Sequence, residues 1–168
     1  EVKDRSARSA YLDGVLLLRS NRPAEAITAL ESIRYRVPVE LRHTYFYNLG
    51  EAYLSTRNLA KAADAFHQSA EQSNGWSLPW LAQAKVERQQ DREDAAIATL
   101  RAGLAINPGD PILIAELADI LTGRERRKPK AERSWTEIES LFADASKSGA
   151  PPDPELVIAH ANFLVAVE

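Results

Sequence analysis

The sequence predicts an all-α fold, an α-solenoid of antiparallel helix pairs with about four and a half repeats. Three observations support this prediction. Small and large residues recur with a period of 34, each period holds two stretches of helical periodicity, and turn-forming residues separate the stretches. The chain has 168 residues, 45% apolar and 27% charged, with a formal net charge of −3, which is ordinary for a globular or repeat domain.

Gly50 reveals the period, because a glycine inside a helix costs about 1 kcal/mol relative to alanine. Small residues recur at one place on the first helix of each pair and at one place on the second. The first set comprises Gly14, Gly50, Ala84, Ala118 and Ala161, and the second comprises Ala26, Ala62 and Ala96. We expect these residues to let facing helices approach closely, while large neighbours such as Phe46 and Phe66 fill the space around the contact.

The elements follow in chain order from these positions. The repeats are predicted over approximately residues 7–40, 43–76, 77–110, 111–152 and, for a final half repeat, 154–168. Helices are predicted over 43–56, 59–72, 77–90, 93–106, 111–122, about 132–147, and from 154 onward. An inserted loop, residues 123–131, interrupts the fourth repeat. All of these elements belong to a single predicted domain, residues 1–168.

Local signals at the helix starts agree with this division. Asp110 and Asp153 each precede a proline, so a capping carboxylate stands before a residue suited to the first helical turn. Asp91 is a further predicted cap, for the second helix of the third repeat.

The pattern resembles the tetratricopeptide repeat family, whose helix pairs repeat every 34 residues. The second repeat carries the resemblance in Phe46, Leu49, Gly50, Tyr53, Ala62, Phe66 and Ser69. The third carries it in Trp80, Ala84, Ala96, Leu100, Gly103 and Pro108, and the first in Gly14, Leu17, Ala26, Leu30 and Pro38. Polar residues depart from the family pattern at Asp13, Gln83, Glu87 and His160.

The resemblance implies a right-handed superhelix whose first helices line a concave groove that binds extended or helical peptides. By helical phase, the predicted groove residues are Tyr11, Val15, Thr44, Tyr47, Glu51, Leu78, Leu81, Lys85, Arg88, Ile112 and Asp119. Apolar residues rimmed by charges are typical of a peptide-docking surface. Packing of these residues against a loop, a terminal segment or a second copy of the chain is the alternative. Family members that grip a partner's C-terminal carboxylate need a donor set of which only Asn48 is present here, so this subclass is not expected.

Catalytic signatures are not found in the sequence. It contains no cysteine, no glycine-rich phosphate loop and no metal-spaced histidine pair. His43, His67 and His160 lie in different repeats, and His160 is expected to pack at a core position. The acidic residues Asp91, Glu93 and Asp94 stand at a helix start, where the helix dipole favours negative charge. We therefore expect a non-enzymatic protein without metal or cofactor.

The sharpest local charge feature is basic. It comprises Arg124, Arg126, Arg127, Lys128, Lys130 and Arg133. Contact with nucleic acid through residues 124–133 is a minor hypothesis, because acidic residues dilute the charge and no aromatic side chain is interleaved. A solvated loop between two helices is favoured.

The leading functional hypothesis is a protein–protein interaction scaffold. A docking or regulatory arm of a larger enzyme, such as a glycosyltransferase, is the alternative, because nothing within the 168 residues separates the two. No initiator methionine is present, so we expect a piece of a larger protein, continuing past Glu168. The last helix is then partly uncovered at Phe163, Leu164 and Val167, and self-association through it is a further hypothesis.

The composition indicates a soluble bacterial protein of unknown compartment, either cytoplasm or periplasm. Alanine is abundant, and arginine (15) outnumbers lysine (6), as expected for a GC-rich bacterial gene. No apolar run approaches the roughly 20 residues that a membrane-spanning helix needs, so membrane insertion is not expected.

Overall fold

The computed structural model describes residues 2–73, 75–147 and 153–168. Within these ranges the chain forms α-helices and two short 3-10 helices, and no strand is present in them. The chain divides into two compact units, residues 1–91 and 92–168. The predicted all-α fold class is therefore confirmed, while the predicted repeat boundaries and the single domain stay predictions.

Consecutive helices pack on one another throughout the first unit. Its described helices are α1 (Val2–Arg19), α2 (Pro23–Glu31), α3 (Arg42–Ser55), α4 (Leu59–Gln72) and α5 (Leu78–Gln89). A 3-10 turn, Val39–Leu41, leads into α3. The bounds of α4 match the predicted helix, and those of α3 and α5 match theirs within one residue at each end. The agreement is close because turn-forming residues separate these helices.

Two glycines allow the close helix contacts that the period predicts. A β-carbon built on Gly14 would lie 2.7 Å from Leu30 Cγ, and one built on Gly50 would lie 2.7 Å from Phe66 Cδ1. Leu30 and Phe66 are both fully buried. The close approach is as expected, but each glycine first meets the large residue of the second helix, where the sequence favoured small residues facing each other.

Several buried polar groups in the first unit find partners, although Trp80 Nε1 is buried without a hydrogen-bond partner among the described residues. The Tyr45 hydroxyl donates to the Leu30 carbonyl oxygen at 3.0 Å, and burial raises the pKa of Tyr45 to about 12. The Tyr53 hydroxyl donates to the Glu31 carboxylate. On α5, where the family has apolar residues, Gln83 Nε2 donates to Glu87 Oε1 at 3.0 Å. The two polar departures thus satisfy part of each other's hydrogen-bonding capacity.

The second unit is built around α7. Its described helices are α6 (Glu93–Ile106), α7 (Pro111–Arg126), α8 (Thr136–Lys147) and α9 (Pro154–Val167). α7 packs on α6, on α8 and on α9. The two predicted carboxylate caps are confirmed, because Asp110 accepts from the N–H groups of Ile112 and Leu113, and Asp153 accepts from those of Glu155 and Leu156.

Three predictions about helix ends are wrong. α7 continues through Arg126 instead of ending at residue 122, so residues 123–126 of the predicted inserted loop are helical. α8 begins at Thr136, about four residues later than predicted, after a 3-10 turn over Lys130–Glu132. Asp91 does not cap α6, because its backbone is left-handed at φ 57° and the cap position falls on Arg92, which makes no side-chain capping bond.

Aromatic stacking covers part of α9. Phe163 is buried against Trp135 and Phe142, with ring centroids 5.8 and 5.6 Å apart, so the expectation that Phe163 is uncovered is wrong. Leu164 and Val167 are 54% and 46% exposed, which confirms the expectation for them. His160 is exposed and stacks on Phe142 at 4.4 Å, instead of occupying a core position.

Candidate functional site

The predicted groove residues of the first unit lie on α1, α3 and α5. Most of their side chains are half-buried, so each presents only part of its surface to solvent. Half-buried are Tyr11, Val15, Thr44, Tyr47, Glu51 and Leu81, while Leu78, Lys85 and Arg88 are exposed. In the second unit, Ile112 is half-buried next to the Asp110 cap, and Asp119 is exposed on α7.

Tyr11 of α1 is tied to α3 by its hydroxyl and its ring. Asn48 Nδ2 donates to the Tyr11 hydroxyl at 3.0 Å and to the Thr44 carbonyl oxygen at 2.7 Å. The Tyr11 ring lies 6.4 Å from the ring of the fully buried Tyr45. Asn48 therefore orients Tyr11 across the contact between the two helices and holds it against α3.

An aromatic cluster of His43, Tyr47 and Trp76 lies at the start of α3. The ring centroids of Tyr47 and Trp76 are 4.7 Å apart, and His43 meets Trp76 edge-on at 5.9 Å. Tyr47 also rests on the buried Phe66 ring at 5.5 Å, so the core supports the cluster from below. Sequence reasoning missed Trp76, and the available signal was a large aromatic residue within the connection between α4 and α5.

A carboxylate follows the cluster one turn further along α3. Burial raises the pKa of Glu51, and the positive charge of Arg19 on α1 partly offsets this effect. Burial also raises the pKa of Tyr47, and the Glu51 charge adds to the increase. Tyr47, Glu51 and Arg19 therefore share one electrostatic environment on the face formed by α1 and α3.

Three of the six basic residues of the stretch pair with carboxylates within the second unit. Arg124 Nε donates to Glu93 Oε1 at 2.9 Å and its Nη2 donates to Asp94, while Arg127 Nη2 donates to Glu93 Oε2 at 2.6 Å. Lys128 pairs with Glu125 at 2.6 Å. These pairs leave less free positive charge than the sequence indicates, which weakens the nucleic-acid hypothesis.

The same pairs explain the acidic residues at the start of α6. Burial opposes ionisation of Glu93, but hydrogen bonds from Arg124 and Arg127 outweigh it, so the pKa of Glu93 lies below its ordinary value. A carboxylate held ionised by two guanidinium groups is poorly suited to general acid–base work near neutral pH. The arrangement instead fixes the extended end of α7 against α6.

The described residues offer no alternative metal or membrane site. Within residues 2–73, 75–147 and 153–168, His, Asp and Glu side chains form no group of three that could hold a metal ion. No helix in these ranges combines the length and the apolar character that crossing a bilayer requires.

Comparison with protein-family models identifies the repeats. Two models, each described as the tetratricopeptide repeat, match residues 11–75 and 77–120. Together they cover most of the chain. The chain belongs to the tetratricopeptide repeat family. Its tetratricopeptide repeats form a scaffold for protein interaction, a fold that is typically non-catalytic. No curated protein matches the sequence.

Solved structures of tetratricopeptide proteins share this fold. A crystal structure of MamA protein is 17% identical, with a TM-score of 0.64, and the match covers 88% of this chain and 79% of that chain. TTC0263, a thermophilic TPR protein of Thermus thermophilus, is 19% identical with a TM-score of 0.63, covering 95% and 81%. TPR-like repeats of a putative kinesin light chain from Podosopora anserina are 16% identical with a TM-score of 0.62, covering 98% and 86%. At these identities the likeness shows the fold alone.

Proposed function

We propose that the face on the first helices of the repeats binds an extended or helical segment of a protein partner. The observation that carries the proposal is the position of Tyr47. Its ring is half-buried, the core Phe66 supports it from below, and Trp76 and Glu51 flank it on an accessible face. A rigid aromatic anchor next to a charged side chain is typical of the centre of a protein interface.

The contacts within this face support the view that its side chains are already ordered before a partner binds. Asn48 fixes Tyr11, and two aromatic neighbours restrain Tyr47, so little side-chain entropy is lost when a partner binds. Leu81 and Val15 add half-buried apolar area. In the second unit, Ile112 and Asp119 are the residues that we propose for the same role. Thr44, Leu78, Lys85 and Arg88 are proposed to contact the partner segment in the first unit.

The experiment is a selection from a phage-displayed library of random linear peptides on the immobilised chain. We expect the selected peptides to bind wild type and to lose at least tenfold in affinity for the double variant Tyr47→Ala, Leu81→Ala. The matched control is Tyr35→Ala, which removes a tyrosine that is 95% exposed in the connection between α2 and α3. Helical circular dichroism of each variant separates a lost contact from a lost fold.

Peptides that bind the double variant as well as they bind wild type contradict the proposal. A second readout does not depend on any variant. Amide signals of residues 44–51 should shift on addition of a selected peptide, whereas those of exposed α4 residues such as Asp64 and His67 should not. Shifts confined to α4 would place binding elsewhere and also contradict the proposal.

A further inference from the structure

A pocket of about 490 Å³ opens beside the aromatic cluster, within the first unit. Glu40, His43 and Thr44 border it at the start of α3, and Gln72, Ser73 and Trp76 border it at the end of α4 and beyond. We term it the Trp76 pocket. Its size falls in the range that accommodates a whole side chain or a small ligand.

The Trp76 pocket presents aromatic surface and negative charge. Trp76 supplies an indole, His43 lies edge-on to it, and the Tyr47 ring continues the same surface. Faces of aromatic rings attract cations through their quadrupole, and tryptophan does so best. Glu40 is the charged side chain that borders the pocket, and among the residues that the structure describes no lysine or arginine borders it.

The helix dipoles do not decide whether the pocket attracts positive or negative charge. The C-terminal end of α4 carries a partial negative charge, and the N-terminal end of α3 carries a partial positive one, so their effects oppose each other at this site. Side chains therefore dominate. A second carboxylate, Glu51, lies beyond Tyr47 on the same helix, and burial raises its pKa, so a positive charge nearby would stabilise its ionised form.

One cation already approaches from α1. Arg8 Nη2 pairs with Glu40 Oε1 at 2.7 Å, but the two side chains are 52% and 59% exposed. An exposed pair of this kind contributes about 0–1 kcal/mol. An incoming guanidinium or ammonium group therefore shares or replaces Arg8 at Glu40 at small cost, while Trp76 offers an aromatic surface beside it.

From this chemistry we infer that the Trp76 pocket receives an arginine or lysine side chain of the partner segment. This inference rests on the proposed function, because it assigns a preference to the same face. Arginine suits the pocket better than lysine, since its planar guanidinium stacks on an indole and pairs with a carboxylate at the same time. A partner segment with a single basic residue near its apolar anchor is the expected ligand.

The test uses blocked amino acids as probes of the whole chain. N-acetyl amides of arginine, lysine, glutamine and leucine are titrated while the indole N–H signals of Trp76, Trp80 and Trp135 are followed by nuclear magnetic resonance. We expect the Trp76 signal to shift with arginine, less with lysine, and not with the two uncharged amides at equal concentration. Trp80, which is buried, and Trp135, which packs on Phe163, serve as internal controls.

Variants separate charge from packing. Glu40→Gln should weaken binding of the arginine amide by about threefold, a loss typical of one exposed charge pair. The matched control Asp64→Asn removes an exposed carboxylate on α4 and should leave that binding unchanged. Equal shifts of Trp76 with leucine and arginine, no shift with any probe, or equal loss in both variants would overturn the inference.

The outcome is distinguishable from that of the proposed function. If the face variant loses peptide binding but selected peptides show no enrichment in arginine or lysine, the proposed function stands and this inference fails. If no peptide binds the chain and the Trp76 signal still responds to arginine, the pocket is retained and the proposed function fails.

Discussion

Gly50 lies so close to Phe66 that the two residues define the distance between α3 and α4. A β-carbon at position 50 would lie 2.7 Å from both Phe66 Cδ1 and Cε1 and 3.0 Å from Cζ. The Phe66 ring is fully buried and also supports Tyr47, so it has little freedom to move away. The glycine is kept in the helix because the packing gain exceeds its cost in helix propensity.

Gly50→Ala is therefore expected to destabilise the first unit although alanine is the better helix former. Overpacking a core costs about 1–3 kcal/mol, and the gain in propensity returns about 1 kcal/mol. The net loss in the free energy of unfolding should be about 1 kcal/mol, measured by urea denaturation followed by circular dichroism.

Gly123→Ala is the matched control for this substitution. Gly123 also lies inside a helix, but a β-carbon there would meet only Arg127 Nη1, at 3.7 Å. The propensity gain should then appear alone, so this variant should be as stable as wild type or more stable. If Gly50→Ala is stabilising as well, the close contact does not limit the helix distance.

The sequence predicts the repeating parts of the fold better than the exceptions to the repeat. α4 and α6 begin and end where predicted, because small residues, large residues and breakers all agree there. The length of α7 is not predictable in this way. Its last turn is stabilised by Arg124 and Arg127 pairing with Glu93, a residue more than 30 positions earlier in the chain.

The candidate face is predictable in part for a similar reason. Helical phase assigns Tyr11, Tyr47 and Glu51 to one side of the first helices, but phase carries no information on depth. The structure shows them half-buried, and it adds Trp76 from a connection between helices, where no periodicity applies. A contact made by a connecting segment needs three-dimensional coordinates to be found.

The Glu93 cluster predicts a pH-dependent stability for the second unit. The pKa of Glu93 is lower in the folded chain than its ordinary value, so its contribution is present above the ordinary carboxyl pKa and is lost as the pH falls through the folded pKa. Glu93→Gln should reduce the free energy of unfolding at pH 7 by about 1 kcal/mol or less, because the groups are about one third exposed.

Urea denaturation at pH 7 and at pH 3 measures this dependence. The difference between wild type and Glu93→Gln should shrink at the lower pH, as protonation of Glu93 removes its charge. Glu139→Gln, which changes an exposed carboxylate on α8, should show little difference at either pH. A Glu93→Gln deficit that is the same at both values would exclude the charged pairs as its cause.

For Glu51 we expect the opposite dependence of stability on pH. Its pKa is higher in the folded chain, because burial disfavours the carboxylate, so the stability that it contributes is present below the ordinary pKa and is lost as the pH rises through the folded one. Glu51→Gln should therefore raise the free energy of unfolding at pH 7, by roughly 0.5 kcal/mol, and should leave it unchanged at pH 3.

A stabilising Glu51→Gln would mean that the chain retains a carboxylate at some expense to its fold, as expected for a residue with a binding role. The control is Glu71→Gln, at an exposed position of α4, which should not raise the free energy of unfolding at pH 7. If Glu51→Gln instead destabilises at pH 7, its attraction to Arg19 outweighs burial, and the carboxylate is structural.

The uncovered side of α9 predicts concentration-dependent self-association. The helix is apolar almost all round, yet only Ala159, Phe163 and Ala166 are buried, while Leu164 and Val165 are 54% and 70% exposed.

Light scattering after size exclusion should give a mass that rises above 18.6 kDa with concentration. Val165→Lys should hold the chain at that mass, because a lysine in an apolar contact must be desolvated. The control Val39→Lys changes a valine of equal exposure, 70%, in the first unit, and its mass should still rise with concentration as that of wild type does. A wild-type mass that stays at 18.6 kDa across all concentrations would show that this surface does not bind a second copy.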